Sequence, residues 1–233
     1  MDSNIRTFLF PFKDINATRF TVTTLAFILG ITGMIHGFFE ILQGDKQTEG
    51  ILIQAIGPEY QHWLYGGEEA FTLIPNYLYT GLVAVITGFA VIIWTLFFIH
   101  KKHGSLVFLV LNFVSFFSGG GIFQIVTFTM TWIFSTRING SLKWWEDRIS
   151  NNVIDKMSKY WFIINVMAII PYLTVQVIGI YGYVPGISDP EIIINIVLML
   201  LIISLSLFIL AFICGFSYEI HKANKYIAHS HPL

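Results

Sequence analysis

Residues 105–136, SLVFLVLNFVSFFSGGGIFQIVTFTMTWIFST, form an uncharged apolar run broken in its middle by Gly119, Gly120 and Gly121. How this run meets a membrane decides the threading of the whole chain. As one helix, about 32 residues at 1.5 Å each reach about 48 Å, well beyond a hydrocarbon core of about 30 Å. As two arms meeting at the glycines, each arm has about 15 residues and reaches about 22 Å. That length suits a helical hairpin whose tip stops in the far leaflet.

The rest of the chain is equally apolar. Of 233 residues, 55% are hydrophobic and 12% charged, against about 25% charged in an ordinary globular domain. Mean hydropathy is +0.70. Several long uncharged runs leave no room for a sizeable soluble domain, so a single integral membrane domain over residues 1–233 is expected. The formal net charge of -1 conceals an asymmetry in where charges lie, and no nucleic-acid partner is expected. Cys214 is the sole cysteine, which excludes an intrachain disulfide and argues against a thiolate metal site. The first apolar run is too long for a signal-peptide core, so no cleavable signal is expected.

Residues 1–18 mix Phe8, Leu9, Phe10 and Phe12 with Arg6, Lys13 and Asp14 around Pro11, which reads as an interfacial segment. A first span is expected over residues 19–42, where Gly30, Gly33 and Gly37 allow a neighbouring helix to approach closely. An acidic loop, 44–69, follows with His62, Trp63 and Tyr65 placed for the interface. The second span is expected over 70–99, with Pro75 in its first turns. After the glycine-broken run, residues 137–159 carry apolar side chains at roughly helical spacing and read as an amphipathic cytoplasmic segment. Spans over 160–181 and 191–216 follow, and residues 220–233 form a polar tail.

The distribution of basic residues arbitrates the threading. If the central run crosses once, the better orientation places 8 of the 13 Lys and Arg inside. If it returns to its own side, every one except Lys46 lies inside. The expected architecture is therefore an all-α, polytopic transmembrane helix bundle: four full spans plus a Gly-broken helical hairpin, or six crossings if its arms are long enough. Both termini are expected in the cytoplasm, in the cell membrane. The hairpin tip needs partners for its freed backbone groups, and surrounding helices are expected to supply them.

Depth arithmetic gathers the polar residues of the spans. From an inner boundary near Phe20, His36 lies about 24 Å up and Glu40 about 30 Å up, on one helical face. Asn76 is expected about 10 Å below the outer surface, on a face shared with Glu69, Thr80 and Thr87. The glycine tip, with Ser115, Ser118 and Gln124 beside it, reaches a similar depth. The candidate binding set is thus His36, Glu40, Glu69, Asn76, Thr80, Gly119, Gly120, Gly121 and Gln124, with His36 in contact with the tip. Ionisable side chains in a span are costly and face partners or water, and an interrupted helix pair points to a transporter's binding site. His36 and Glu40 are also the candidate metal ligands, although His-x-x-x-Glu alone is short of the three protein ligands that zinc needs. The bland alternatives are that His36 bonds a backbone carbonyl or Glu40, and that Glu68 and Glu69 charge the start of the second span.

HGFFEILQG, then EEAFTLIPNYLYTG, then a triple-glycine break after a short apolar arm resemble a family of small, uncharacterised prokaryotic polytopic membrane proteins. The resemblance covers about the first 140 residues and implies no activity. It singles out His36, Glu40, Pro75, Asn76 and Gly119 to Gly121.

Three functions are compatible with these residues: a small ion or solute transporter or channel-like protein, which leads; a membrane-embedded metal-dependent enzyme acting on lipid; and a noncatalytic subunit of a membrane complex. The sequence names no cofactor, and it carries no P-loop, Gly-x-Ser-x-Gly or dinucleotide fingerprint in its required context. Expected partners are the lipid bilayer and either a second copy of the chain or another membrane subunit.

Overall fold

The computed structural model describes residues 16–230, and side chains up to residue 226. The expected interfacial segment lies almost wholly outside the described residues. Four helices are long and apolar enough to cross a membrane: α1 (Ala17–Leu42), α2 (Tyr77–Phe97), α7 (Trp161–Tyr181) and α8 (Pro190–Ser230). Between them lie β1 (Leu52–Gln54), β2 (Glu69–Thr72), α3 (Gly104–Phe116), β3 (Ser118–Gly121), α4 (Gln124–Ser135), α5 (Lys143–Glu146) and α6 (Asn151–Met157). The chain is a mainly helical membrane bundle with one small sheet.

Glycines set the closest helix pair. A Cβ at Gly30 would lie 2.7 Å from the Gly88 carbonyl oxygen, and one at Gly37 would lie 2.6 Å from that of Gly81. Residues seven apart return to nearly one face of a helix, so these four glycines line one seam and bring the backbones of α1 and α2 together. Gly33 points elsewhere, toward Ser115 Oγ on α3. The sequence marks the glycines of α1 as a close-approach face, and the structure supplies their counterparts, Gly81 and Gly88. Below the seam the core is apolar, with Val22, Leu25, Val91, Phe108, Phe128 and Phe212 all buried. Phe134 and Phe212 stack with ring centroids 3.9 Å apart. Large apolar residues such as Ile86, Phe89, Ile170 and Ile202 stay exposed, as helices surrounded by lipid require.

The glycine-broken run folds as a hairpin, but its tip is a strand. β3 pairs antiparallel with β2, and β2 with β1, in the order β1-β2-β3. The register slips between Ala70↔Gly121 and Thr72↔Ser118, the signature of an extra residue on β3. Leu73 N–H donates to the Phe117 carbonyl at 2.9 Å, and Ile122 N–H to that of Glu69 at 3.2 Å. The freed backbone groups of the tip thus find partners in a strand formed by the first residues of the expected second span, where surrounding helices were expected to supply them. All four residues of β3 are buried.

The sheet also moves the start of the second span. Glu69 to Thr72 are strand, and Pro75 precedes the helix, which begins at Tyr77 behind an Asn76 N-cap. Proline removes a backbone donor and disfavours helix in the residue before it, so the helix starts beyond it.

All the basic connections gather at the opposite end. Asn139 Nδ2 donates to the His100 carbonyl at 2.6 Å, tying the exit of the hairpin to its entry. Arg19 donates to the Leu96 carbonyl at 3.0 Å. The expected amphipathic helix over 137–159 is two short helices, because Ser150 is extended (ψ 146°) at the N-cap of the second. They lie against α8, where Trp145 Nε1 donates to Ser217 Oγ at 3.2 Å and His221 Nδ1 lies 2.6 Å from Asp155 Oδ1. With these contacts α8 continues to Ser230, past the expected end of its span.

Candidate functional site

The site forms where α1 meets β3 at the sheet end of the bundle. His36 and Glu40 sit one turn apart on α1, so both face the strand that crosses it. A Cβ at Gly121 would fall on the Glu68 carboxylate and 2.6 Å from His36 Cε1. A Cβ at Gly119, whose φ is +94°, would fall on the carboxylate of Glu40. Gly119 is needed for a left-handed backbone and for the space that Glu40 occupies, and Gly121 for the space that Glu68 and His36 occupy.

His36 is 4% exposed. Its Nε2 lies 3.1 Å from Glu68 Oε2, and the side chain of Glu68 remains 35% exposed. The ring also faces the Gly119 backbone, but Nδ1 has no hydrogen bond of normal geometry. Glu40 is fully buried, and neither of its carboxyl oxygens has a hydrogen-bond partner among the described residues. Burying a carboxyl group without a hydrogen-bond partner is costly. The site therefore combines an acid–imidazole pair that reaches solvent with a second acid, sealed beneath the glycine strand.

A cavity of about 740 Å³ opens beside the pair, lined by His36, Glu68, Glu69, Gln124, Thr127 and Tyr172 together with apolar residues of α7 and α8. Gln124 is 8% exposed and its Nε2 has no partner. The loop between β1 and β2 covers the cavity. Trp63 Nε1 donates to the Gly179 carbonyl at 2.8 Å, and His62 stacks on Tyr181 with centroids 5.3 Å apart. Both contacts fasten the loop to the end of α7, so Trp63, placed by sequence at the membrane interface, is a fastener of the cavity roof.

Of the candidate set, the structure brings together His36, Glu40, Gly119 and Gly121, and puts Glu69 and Gln124 on the cavity wall. Gly120 faces away: its Cβ would lie 2.6 Å from Phe116 Cα, in the hairpin's own first arm. Asn76 is outside the site, capping α2 through Tyr79 N–H at 3.2 Å and donating to Asp45 Oδ1 at 2.7 Å. Thr80 is buried, but its Oγ lies 2.7 Å from Thr72 Oγ and joins α2 to β2. Glu69 shares no helical face with them, because it belongs to a strand. Neither Glu68 nor Glu69 caps α2. Glu68, which the sequence offers beside Glu69 as a further binding group, is the one that pairs with His36. Tyr172 and Thr127 sit in uniformly apolar runs and gave no signal.

Among the described residues, no group of three or more His, Cys, Asp or Glu side chains is arranged to hold a metal ion. His36 and Glu40 thus gain no third ligand that would make the pair a metal centre. Compared with protein-family models, curated proteins and solved structures, the chain has no match.

Proposed function

We propose that this protein is a small membrane transporter whose solute site is the cavity beside His36 and Glu68, with Glu40 as the group that takes up a proton or small cation. The observation that carries the reading is Glu40 itself. A fully buried carboxyl without a hydrogen-bond partner among the described residues is costly to keep unless charge or proton binding there has a use. Its neighbours strengthen the case: an imidazole–carboxylate pair next to it and a polar-walled cavity beside that pair. In this reading the basic end, with ten of the eleven Lys and Arg among the described residues, faces the cytoplasm together with both termini, the sheet end faces out, and the hairpin α3–β3–α4 re-enters from the inner side.

The subunit reading rested on glycine faces left for another protein's helices. Those glycines pack against α2 and α3 within this chain, so that feature no longer favours it. The test of the transporter reading is proton flux in proteoliposomes loaded with a pH-sensitive dye, driven by gradients of candidate ions and solutes. Coupled flux in the parent protein that is lost in His36→Ala and in Glu40→Gln is the expected result. Flux that survives both substitutions, or its absence from the parent under every gradient, overturns the reading.

A further inference from the structure

We propose that the cavity selects an organic cation with an apolar body, an inference that rests on the transporter reading and names its substrate class. Charge decides the sign. Glu68 and Glu69 both line the cavity, and among the described residues no lysine or arginine does. Glu68 is shared with His36, whereas Glu69 makes no ion pair among the described residues. An anion would meet two carboxylates with at most one imidazolium to offset them, and like charges at close range repel strongly in a partly desolvated site. A cation finds a free carboxylate waiting.

Size and wall chemistry decide the rest. A cavity of about 740 Å³ lies in the range of about 300–1,000 Å³ that organic ligands fill. A bare inorganic ion would leave most of it empty, and the described residues offer no three-ligand cluster to hold one. The lining includes Val175, Val197, Leu198 and Leu201, which suit an apolar body, and the aromatic residues Trp63 and Tyr172. Aromatic faces attract organic cations and add to the pull of a carboxylate. Gln124, nearly buried on the cavity wall and with its amide nitrogen unpartnered among the described residues, adds a polar group to the lining.

The experiment uses the purified full chain in detergent micelles and three probes of similar shape: benzyltrimethylammonium, its neutral isostere neopentylbenzene, and phenylacetate. Binding is followed by thermal stabilisation and by titration calorimetry. The expected result is that only the cation stabilises the protein, and that Glu69→Gln weakens its binding about tenfold or more, the loss of one charge-assisted contact. Glu69 is exposed and outside the His36 pair, so this variant keeps the fold. Equal or tighter binding of the neutral or anionic probe, no binding of any probe, or a cation affinity unchanged in Glu69→Gln overturns the proposal. The two failures are separable. Proton-coupled flux sensitive to Glu40→Gln, alongside a site that prefers the neutral or anionic probe, removes the substrate class and leaves the transporter reading standing. Cation binding without any coupled flux does the reverse.

Discussion

His36 Nε2 and Glu68 Oε2 meet at 3.1 Å across 32 residues of chain, and Gly121 is what lets them do so. Any side chain at Gly121 would occupy the space in which the imidazole and the carboxylate approach each other. The pair is thus a joint product of α1, of the strand that the three glycines form and of the loop leading into β2. Gly121→Ala is expected to weaken binding in the cavity as much as Glu68→Gln does, while Gly120→Ala, directed at α3, lowers stability without acting on the pair. Calorimetric titration of the two alanine variants beside their melting temperatures separates these effects.

Glu40 and Gly119 make a second contact of this kind. Gly119→Ala forces a left-handed backbone onto a residue with a Cβ and drives that Cβ into the Glu40 carboxyl. A loss of about 2 kcal/mol or more is expected, of which about 1 kcal/mol is the backbone term. The double variant Gly119→Ala/Glu40→Ala recovers the steric part and not the backbone part. Denaturation of the two single variants and the double in detergent gives the coupling, and additive losses would contradict the contact.

Glu40→Gln by itself is expected to leave stability unchanged or slightly raised, within about 1 kcal/mol, because it replaces a carboxyl without a hydrogen-bond partner by a neutral amide of the same shape. A melting temperature that falls by many degrees in Glu40→Gln would show that the carboxyl has an essential partner in the folded protein.

The α1–α2 seam offers the sharpest structural test. Gly37→Leu and Gly81→Leu each put a side chain where a backbone carbonyl now lies within 2.6 Å of a built Cβ. Each is expected to abolish stable folding in detergent, and Gly33→Ala, which meets only Ser115 Oγ at 3.2 Å, to be tolerated. Size-exclusion profiles and melting curves decide it.

Asn76→Ala serves as the control for the site. It removes a helix cap and the tie to Asp45, so a stability loss of about 1 kcal/mol is expected. Affinity for cavity ligands should be unaltered, since Asn76 stands outside the cavity. Single cysteines at positions 101, 143 and 222, in a chain with Cys214 replaced, test the threading: all three should be shielded from an impermeant thiol reagent added outside intact cells.

The sequence by itself determined the membrane character, the four long apolar helices and the folding back of the 105–136 run, because hydrophobic length and charge placement are properties of consecutive residues. It also placed His36 and Glu40 on one face, since a spacing of four fixes a helical neighbour whatever lies opposite. Only the tertiary structure decided what that face meets. The strand Ser118–Gly121 has almost no side chains, so it carries no alternation of polar and apolar residues that would reveal it, and its partners are backbone groups of a loop nearly 50 residues earlier. That pairing brought Glu68 to His36, took Ala70 to Thr72 out of the second helix and made Asn76 a cap. Likewise the glycines of α1 announced a close approach, but their true counterparts at Gly81 and Gly88 emerged only when the two helices lay side by side. Backbone pairing and packing join residues that are distant in the chain, and no local pattern in the sequence records them.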